Sequence, residues 1–368
     1  MSKGRAGLLS LGIGLAAAGT GAALGLAAER VAVGRPLVGR RAGPSSDVPY
    51  GSVRSAPVVV EADDGTRLHA EVDEPTEPDP DQLTVVFCHG YSLNLDLWHY
   101  QRLDLRGRYR TAFWDQRGHG RSRRGPVGSA TIEQMGADLR AVIEATAPEG
   151  PLVLVGHSMG GMTIMSLAAH EPELFADRVV GVALVATSAG GLGNLDLGLD
   201  RLGRVVHRVA PRALKVLSRR PALVEKGRRL GGDLEAVLVR RYSYSSEVSD
   251  ELVDFTARMI AATRIEVIGD FLPAFSQHDK HESLEAMTGI ETLVLSGDDD
   301  LMIPLAHSAE IVRRLPHAEH VVVRDAGHNV MLEHPEVVTP HLVALIDRAR
   351  RTVRRAPRRR RRRRRAPA

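Results

Sequence analysis

The chain has 368 residues, 43% of them hydrophobic, and is therefore long enough to bury a substantial core. Its single cysteine, Cys88, excludes an internal disulfide. The formal net charge is +4, but thirteen arginines lie between Arg348 and Arg365, and without them the charge is −9. The basic isoelectric point therefore belongs to the C-terminal end of the chain.

The N-terminal segment carries a long uncharged stretch. Residues 6–28 contain no charged side chain, and these 23 residues are enough to span a bilayer as a helix. Two basic residues precede the stretch and four follow it, a bias that favours a cytoplasmic location for the rest of the chain. We therefore predict a membrane anchor over residues 1–33 and a linker over residues 34–55. The alternative is a signal peptide, cleaved near Ala27 to release a secreted protein.

Strand and helix signals alternate from residue 56 onwards. Two short β runs, 58–61 and 68–72, flank the turn sequence Asp63-Asp64-Gly65 and predict a leading hairpin. The apolar run 84–88 predicts the first strand of the main sheet. Because strands and helices then alternate, we predict an α/β fold with a mainly parallel sheet and flanking helices.

A pentapeptide, Gly156-His157-Ser158-Met159-Gly160, follows the apolar run 152–155 and precedes a helix-forming stretch. A strand, a tight turn and a helix in this order place a serine on a sharp elbow, where its hydroxyl stands clear of the sheet. Gly156 and Gly160 are needed because such a turn leaves no room for side chains. Ser158 is therefore the candidate nucleophile.

A serine hydroxyl is a poor nucleophile at neutral pH, so it needs a histidine base that is oriented by a carboxylate. His328 leaves the predicted strand 320–324 and is the candidate base. The preceding strand, 291–295, leads to three consecutive aspartates, Asp298, Asp299 and Asp300, any of which could be the acid. The chain order is then serine, aspartate, histidine.

In these motifs the sequence resembles α/β-hydrolase-fold proteins of the esterase, lipase and cofactor-free haloperoxidase group. His89-Gly90-Tyr91 matches the segment in which the family builds half of its oxyanion hole, and residues 115–122 resemble the turn after the next strand. The spacing Gly297-x-x-Asp300-x-x-x-Pro304 matches the family's acid loop and selects Asp300, with Asp298 and Asp299 as alternatives. The resemblance extends over residues 58–348 with a gap in the middle.

The resemblance implies a serine hydrolase that cleaves carboxylic esters through an acyl-enzyme and needs neither cofactor nor metal. It implies an oxyanion hole made by the backbone N–H groups of Tyr91 and Met159, with His89, Gly90, Gly156 and Gly160 in support. An acyltransferase or a cofactor-free perhydrolase on the same fold remains an alternative. A non-catalytic ligand-binding scaffold is a third, which the complete set of Ser158, Asp300 and His328 disfavours.

Residues 188–286 interrupt the strand–helix alternation and predict a helical cap inserted into a core made of 56–187 and 287–348. We expect the leucines of the cap to favour a small-molecule ester with an apolar acyl group. His278 and His281 are predicted to lie on the solvated cap surface, because no third ligand at a matching spacing indicates a metal.

The last segment, 349–368, predicts a disordered tail with eight consecutive arginines. Beside a membrane anchor, its expected partner is the anionic lipid of the inner leaflet. The tail would also attract nucleic acid, but without sequence specificity, because no aromatic residues are interspersed among its arginines.

Overall fold

The computed structural model describes residues 44–192 and 232–355. Eight strands form a single sheet in the order β1-β2-β4-β3-β5-β6-β7-β8, and their bounds are Pro57–Glu61 (β1), Arg67–Asp73 (β2), Thr84–Cys88 (β3), Arg110–Asp115 (β4), Leu152–His157 (β5), Val179–Val185 (β6), Glu291–Gly297 (β7) and Glu319–Val323 (β8). The pairs β1–β2 and β2–β4 are antiparallel. All pairs from β4 to β8 are parallel, so the predicted leading hairpin and parallel sheet are confirmed.

Helices cover both faces of the sheet. Those of the described residues are His99–Leu105 (α1), Ile132–Thr146 (α2), Met159–His170 (α3), Pro172–Arg178 (α4), Gly232–Ser243 (α5), Asp250–Ala262 (α6), Ile265–Gln277 (α7), Ala306–Arg314 (α8), Val330–Glu333 (α9) and Pro335–Arg355 (α10), with short 3₁₀ helices at Leu95–Trp98 and Glu282–Met287. Helices α5 to α7 lie between β6 and β7 in the chain, within the predicted cap.

Each central strand supplies side chains to two hydrophobic cores. Val85 and Phe87 of β3 belong to the core that includes α1, α9 and α10, whereas Val86 and Cys88 belong to the core that includes α2, α3 and α4. Successive residues of a strand face opposite sides of the sheet, so a strand buried on both sides reads as a continuous apolar run. The parallel pairing from β4 to β8 also brings the carboxyl ends of β3, β5, β7 and β8 to one edge of the sheet.

The leading hairpin is attached to the body by a buried arginine. Arg102 of α1 lies 2.8 Å from Glu71 Oε2 and 2.8 Å from Asp73 Oδ2, and all three side chains are at most 3% exposed. Burial alone would raise the pKa of Glu71, but hydrogen bonds from His69, Ser55 and Arg102 lower it to about 2. Both carboxylates therefore depend on these partners to remain charged inside the protein.

The linker predicted over residues 34–55 disagrees with the structure over residues 44–55. Residues 44–55 are described, and they pack against the body: the Tyr50 ring stacks on Phe255 of α6 at 5.0 Å, and Arg54 Nη2 donates to Asp96 Oδ2 at 2.7 Å. Prolines and glycines prevent regular structure here, but they do not prevent an irregular segment from packing through an aromatic ring.

The predicted tail over residues 349–368 begins too early, because α10 continues to Arg355. Arg350 donates to Asp79 and Arg354 donates to Asp81, each at 2.7 Å. Arginine is a good helix former, and its charge is favourable near the C-terminal end of a helix. Residues 356–368, with the run of eight arginines, lie outside the described residues.

The predicted membrane-anchored localisation is corrected. Within 44–192 and 232–355, no helix is both long enough and apolar enough to cross a membrane. The segment 1–33, on which the prediction rested, lies outside the described residues. The uncharged stretch of this segment is long enough to span a bilayer. Its many alanines and glycines, however, supply little of the apolar surface that a membrane-spanning helix needs.

We predict that Arg102→Ala lowers the free energy of unfolding at pH 7 by about 3–5 kcal/mol, because it leaves two buried carboxylates without their cation. Urea unfolding followed by circular dichroism measures this loss. The control is Arg108→Ala, whose pair with Asp104 is about half exposed and contributes at most about 1 kcal/mol. Equal losses in the two variants would contradict the importance of the buried cluster.

Candidate active site

Ser158 occupies the turn between β5 and α3 in a backbone conformation that favours glycine. Its φ is 52° and its ψ is −118°, outside the regions that ordinary residues prefer. The surrounding structure holds it there: the Ser158 N–H donates to the carbonyl of Val185 at 2.9 Å, and the Ser158 carbonyl accepts from Gly161 N at 2.9 Å and from Thr187 Oγ1 at 2.7 Å. Such strain persists only where several contacts determine the geometry, which is typical of functional turns.

The glycines around Ser158 are required by close backbone packing. A Cβ at Gly156 would lie 2.6 Å from the carbonyl carbon of Gly160, and a Cβ at Gly160 would overlap the carbonyl of Cys88 at the end of β3. A Cβ at Gly90 would lie 2.6 Å from His157 Nδ1 and 3.3 Å from the Cβ of Ser158. The loop after β3 and the elbow after β5 are therefore in direct contact.

His328 and Asp300 face each other across two neighbouring loops. The distance from His328 Nδ1 to Asp300 Oδ2 is 2.8 Å, and the His328 residue is 8% exposed. Asp300 Oδ1 accepts the backbone N–H groups of Met302 and Ile303 at 2.8 and 2.9 Å. Because these donors orient an ionised carboxylate, we assign the proton of the neutral imidazole to Nδ1, which leaves Nε2 as the basic nitrogen.

The other two aspartates of the acid loop have different partners. Asp299 Oδ2 accepts from the hydroxyl of Ser245 at 2.9 Å, and Asp298 Oδ1 lies 3.4 Å from the backbone N of Ala326. Among the three, Asp300 is the residue whose carboxylate contacts His328. The geometry therefore favours Asp300, the aspartate that the acid-loop motif also selects.

Two backbone N–H groups are the candidates for an oxyanion hole. Met159 is the first residue of α3, so its N–H precedes the first hydrogen bond of the helix and has no partner within it. Tyr91 follows Gly90, where an added Cβ would lie 3.3 Å from the Cβ of Ser158, and the Tyr91 hydroxyl donates to the carbonyl of Ile268 in α7 at 2.5 Å. The side chain of Tyr91 thus connects the loop after β3 to the cap.

Two buried histidines brace the candidate site. The backbone N–H of Gln116 donates to His89 Nε2 at 2.9 Å, which leaves the proton on Nδ1, and Nδ1 donates to the carbonyl of Gly90 at 2.7 Å. His157 Nε2 donates to the carbonyl of His328 at 3.0 Å. Burial lowers the pKa of His89 to about 3 and places that of His157 well below its usual value, so both stay neutral.

Sequence reasoning missed two polar residues that support these loops. The Gln116 amide donates to the carbonyl of His89, and its oxygen accepts from the Thr163 hydroxyl at 2.8 Å. Thr163 Oγ1 also lies 2.9 Å from the carbonyl of Met159, so this pair joins the elbow to the loop after β3. The available signal was a threonine one turn after the elbow, within a mainly apolar helix.

The prediction that His278 lies on a solvated surface is wrong, because this residue is 4% exposed. Its Nε2 donates to the carbonyl of Ser188 at 2.9 Å, and the Lys280 N–H donates to the carbonyl of Ala189 at 2.6 Å. The two ends of the cap segment therefore pair with each other where they join the core. This pairing joins residues about 90 positions apart in the sequence, which local patterns do not reveal.

An apolar cluster joins the elbow to the cap. Met159 and Met162 of α3 pack with Phe271 of α7 and with Ile303 of the acid loop. The remaining members are Ile132, Met135, Leu192, Val267 and Ala274, with Tyr91, Ala130, Phe275 and Met302 packed against them. The candidate nucleophile is thus bordered by hydrocarbon on the side that faces α7.

Comparison with known proteins identifies the family. A sequence profile described as the alpha/beta hydrolase fold matches residues 84–335, about two thirds of the chain. The chain belongs to the α/β-hydrolase family, and the predicted α/β-hydrolase fold is confirmed.

Individual relatives include several enzymes. The non-heme chloroperoxidase of Streptomyces lividans is 30% identical over 275 residues, which cover 72% of this chain and 92% of the chloroperoxidase. The 3-oxoadipate enol-lactonase 2 of Acinetobacter baylyi is 25% identical over 272 residues, covering 73% and 90% of the two chains. A thermophilic esterase from Thermogutta terrifontis, of known structure, is 26% identical with a TM-score of 0.61 and covers 80% of this chain and 99% of the esterase.

We predict that Asp300→Asn lowers kcat by up to about 10⁴-fold, because an amide does not hold the histidine in the required tautomer. Asp299→Asn is the matched control, since it alters a neighbouring carboxylate that contacts Ser245 instead of His328. Steady-state hydrolysis of a p-nitrophenyl ester measures both variants. A larger loss in Asp299→Asn would show that the acid is misassigned.

Proposed function

We propose that this protein is a serine hydrolase that cleaves carboxylic esters through an acyl-enzyme. The observation that carries the proposal is the 2.8 Å contact between His328 Nδ1 and Asp300 Oδ2 at the same sheet edge as the strained Ser158. Membership of the α/β-hydrolase family supports it, as does the similarity to an esterase and an enol-lactonase.

In the proposed reaction, Ser158 Oγ attacks the ester carbonyl carbon while His328 Nε2 accepts the hydroxyl proton. The oxygen that becomes negative receives hydrogen bonds from the backbone N–H groups of Tyr91 and Met159. The alcohol then leaves with the proton from His328. Water attacks the acyl-enzyme by the reverse sequence of proton transfers, which releases the carboxylic acid and restores Ser158. Asp300 orients the imidazole and stabilises its protonated form.

The apolar cluster supports a substrate with an uncharged acyl group. Met159, which follows the nucleophile, belongs to the same apolar cluster as residues of α7 and of the acid loop. A charged acyl group placed there would lose its hydration without gaining a partner, whereas an alkyl chain would gain apolar contacts. We therefore infer short or medium-chain esters as the preferred small-molecule substrates.

The similarity to a chloroperoxidase favours a second candidate function, perhydrolysis. Hydrogen peroxide would replace water as the acceptor: its oxygen attacks the acyl carbonyl, the bond to Ser158 Oγ breaks, and the peroxide proton passes through His328 to Oγ. The products are a peracid and the free enzyme. Rates of acid and peracid formation, measured with and without hydrogen peroxide, distinguish the two functions.

We predict that Ser158→Ala abolishes both ester hydrolysis and labelling by a fluorophosphonate probe, because the reacting hydroxyl is removed. The fold should be retained, because the substitution removes only the hydroxyl and leaves the backbone hydrogen bonds of residue 158 in place. Circular dichroism and thermal unfolding check the fold. Undiminished turnover in this variant would falsify the assignment of the nucleophile.

We predict that Phe271→Ala shifts the preferred acyl chain of p-nitrophenyl esters to greater length, because it removes a ring from the apolar cluster beside Met159. The control is Phe255→Ala, which removes a ring of similar burial from α6, where it stacks on Tyr50 in a different core. Relative kcat/KM values across a chain-length series measure the shift. An unchanged chain-length preference in Phe271→Ala would show that the apolar cluster does not line the acyl site.

A further inference from the structure

One turn of the cap contacts both loops that carry the candidate base and acid. We call residues 243–246, at the end of α5, the cap turn. The Asn329 N–H, next to His328, donates to the carbonyl of Ser243 at 2.8 Å. The Ser245 hydroxyl donates to Asp299, next to Asp300, at 2.9 Å. The cap is thus fastened to the core at a second place, distinct from its two ends.

Glu333 joins the cap turn to the histidine loop. This residue of α9 is 1% exposed. Its Oε1 accepts from the backbone N of Ser245 at 2.7 Å, from the backbone N of Ser246 at 2.5 Å and from the Ser246 hydroxyl at 2.8 Å. Its Oε2 accepts from the backbone N of Gly327 at 2.6 Å. One buried carboxylate therefore connects the cap with the residue that precedes His328.

The histidine loop has little space in which to move. A Cβ at Gly327 would lie 2.8 Å from the Cα of Tyr244 in the cap turn, so the two backbones are packed against each other. Hydrogen bonds to a charged acceptor are shorter and about twice as strong as those between neutral groups. The carboxylate of Glu333 thus holds two closely packed segments at a fixed separation.

We propose that Glu333 is a positioning residue, which sets the location of His328 by fastening the cap turn to the histidine loop. The proposal rests on the proposed function, in which His328 is the base. Glu333 acts through the backbone N–H of Gly327 and takes no part in proton transfer. Loss of this link moves the imidazole relative to Ser158 and Asp300, so that the chemical step slows while substrate binding is retained.

Glu333→Gln tests the link with almost no change of shape. The amide oxygen can replace Oε1, which accepts three hydrogen bonds, but the NH₂ group then faces the N–H of Gly327. Two donors repel each other, so the contact with the histidine loop is lost. In the reverse orientation, the NH₂ group faces the donors of the cap turn. Either orientation separates the loop from the cap.

The matched control is Glu71→Gln. Glu71 is also 1% exposed, but it lies in β2 of the leading hairpin and pairs with Arg102 of α1. The same substitution therefore removes a buried carboxylate at a place without contact to the candidate site. Thermal unfolding of both variants measures the loss of stability that each substitution causes, and activity is compared at a temperature where both are folded.

The experiment measures the rate of fluorophosphonate labelling of Ser158, together with kcat and KM for a p-nitrophenyl ester. We expect Glu333→Gln to lower the labelling rate and kcat by between about tenfold and about 100-fold, with KM nearly unchanged. Glu71→Gln should keep the wild-type labelling rate and kcat. Equal rates in the two glutamine variants would overturn the proposal and leave Glu333 a structural residue.

A milder pair of variants covers the case in which Glu333→Gln does not fold. Ser246→Ala removes one hydrogen bond to Glu333, and we expect it to lower the labelling rate by up to about tenfold. Ser276→Ala, an exposed position of the cap whose hydroxyl contacts Pro273, should change nothing. A wild-type rate in Ser246→Ala, or equal losses in both serine variants, would count against the proposal.

Ser158→Ala, measured in parallel, separates this proposal from the proposed function. If Ser158→Ala keeps its turnover, the proposed function fails and the positioning role fails with it. If Ser158→Ala is inactive and unlabelled while Glu333→Gln behaves like Glu71→Gln, only the positioning role fails.

Discussion

The close approach of the elbow after β5 to the end of β3 is the constraint on which the site depends. No side chain fits at Gly160, because the carbonyl of Cys88 occupies the space, and none fits at Gly90, because His157 and Ser158 do. Two parallel strands with buried faces must lie about 4.8 Å apart, and the turns that leave them share that separation. The strained backbone of Ser158 is retained at this point because hydrogen bonds to Val185, Gly161 and Thr187 hold its N–H and its carbonyl.

Buried neutral groups hold the other loops of the candidate site in place around the elbow. His89 and His157 brace two loops through backbone carbonyls, and burial keeps both rings uncharged. A charged ring at His157, whose centroid lies 4.7 Å from that of His328, would place a cation beside the base and disfavour its protonation. The buried carboxylate of Glu333 accepts hydrogen bonds from neutral donors of the cap turn and of Gly327 in the histidine loop. The cap is consequently part of the support for the site as well as its cover.

The local sequence was sufficient for the sheet and for the elbow. Apolar runs between turn signals, such as 84–88 and 152–155, predicted the strands, and the glycine-flanked serine predicted the turn, because both depend on interactions between near neighbours. The same reasoning failed at the edges of the core. Residues 44–55 and 349–355 contain turn formers and arginines, yet Tyr50 and Arg350 find partners on the body that no local pattern indicates.

The sequence by itself determined the fold class, through the alternation of strand and helix signals. It also determined the candidate nucleophile and the candidate base, because each lies in a motif of a few consecutive residues. It left three aspartates open until the spacing to Pro304 was compared with a known family. Only the tertiary structure shows that Asp300 contacts His328 and that His278 is buried where the cap segment joins the core. It also shows that Glu333 links Gly327 to Ser246. These contacts join loops that are far apart in the chain, and their partners meet only because parallel strands bring their carboxyl ends to one edge and the inserted cap folds back over it.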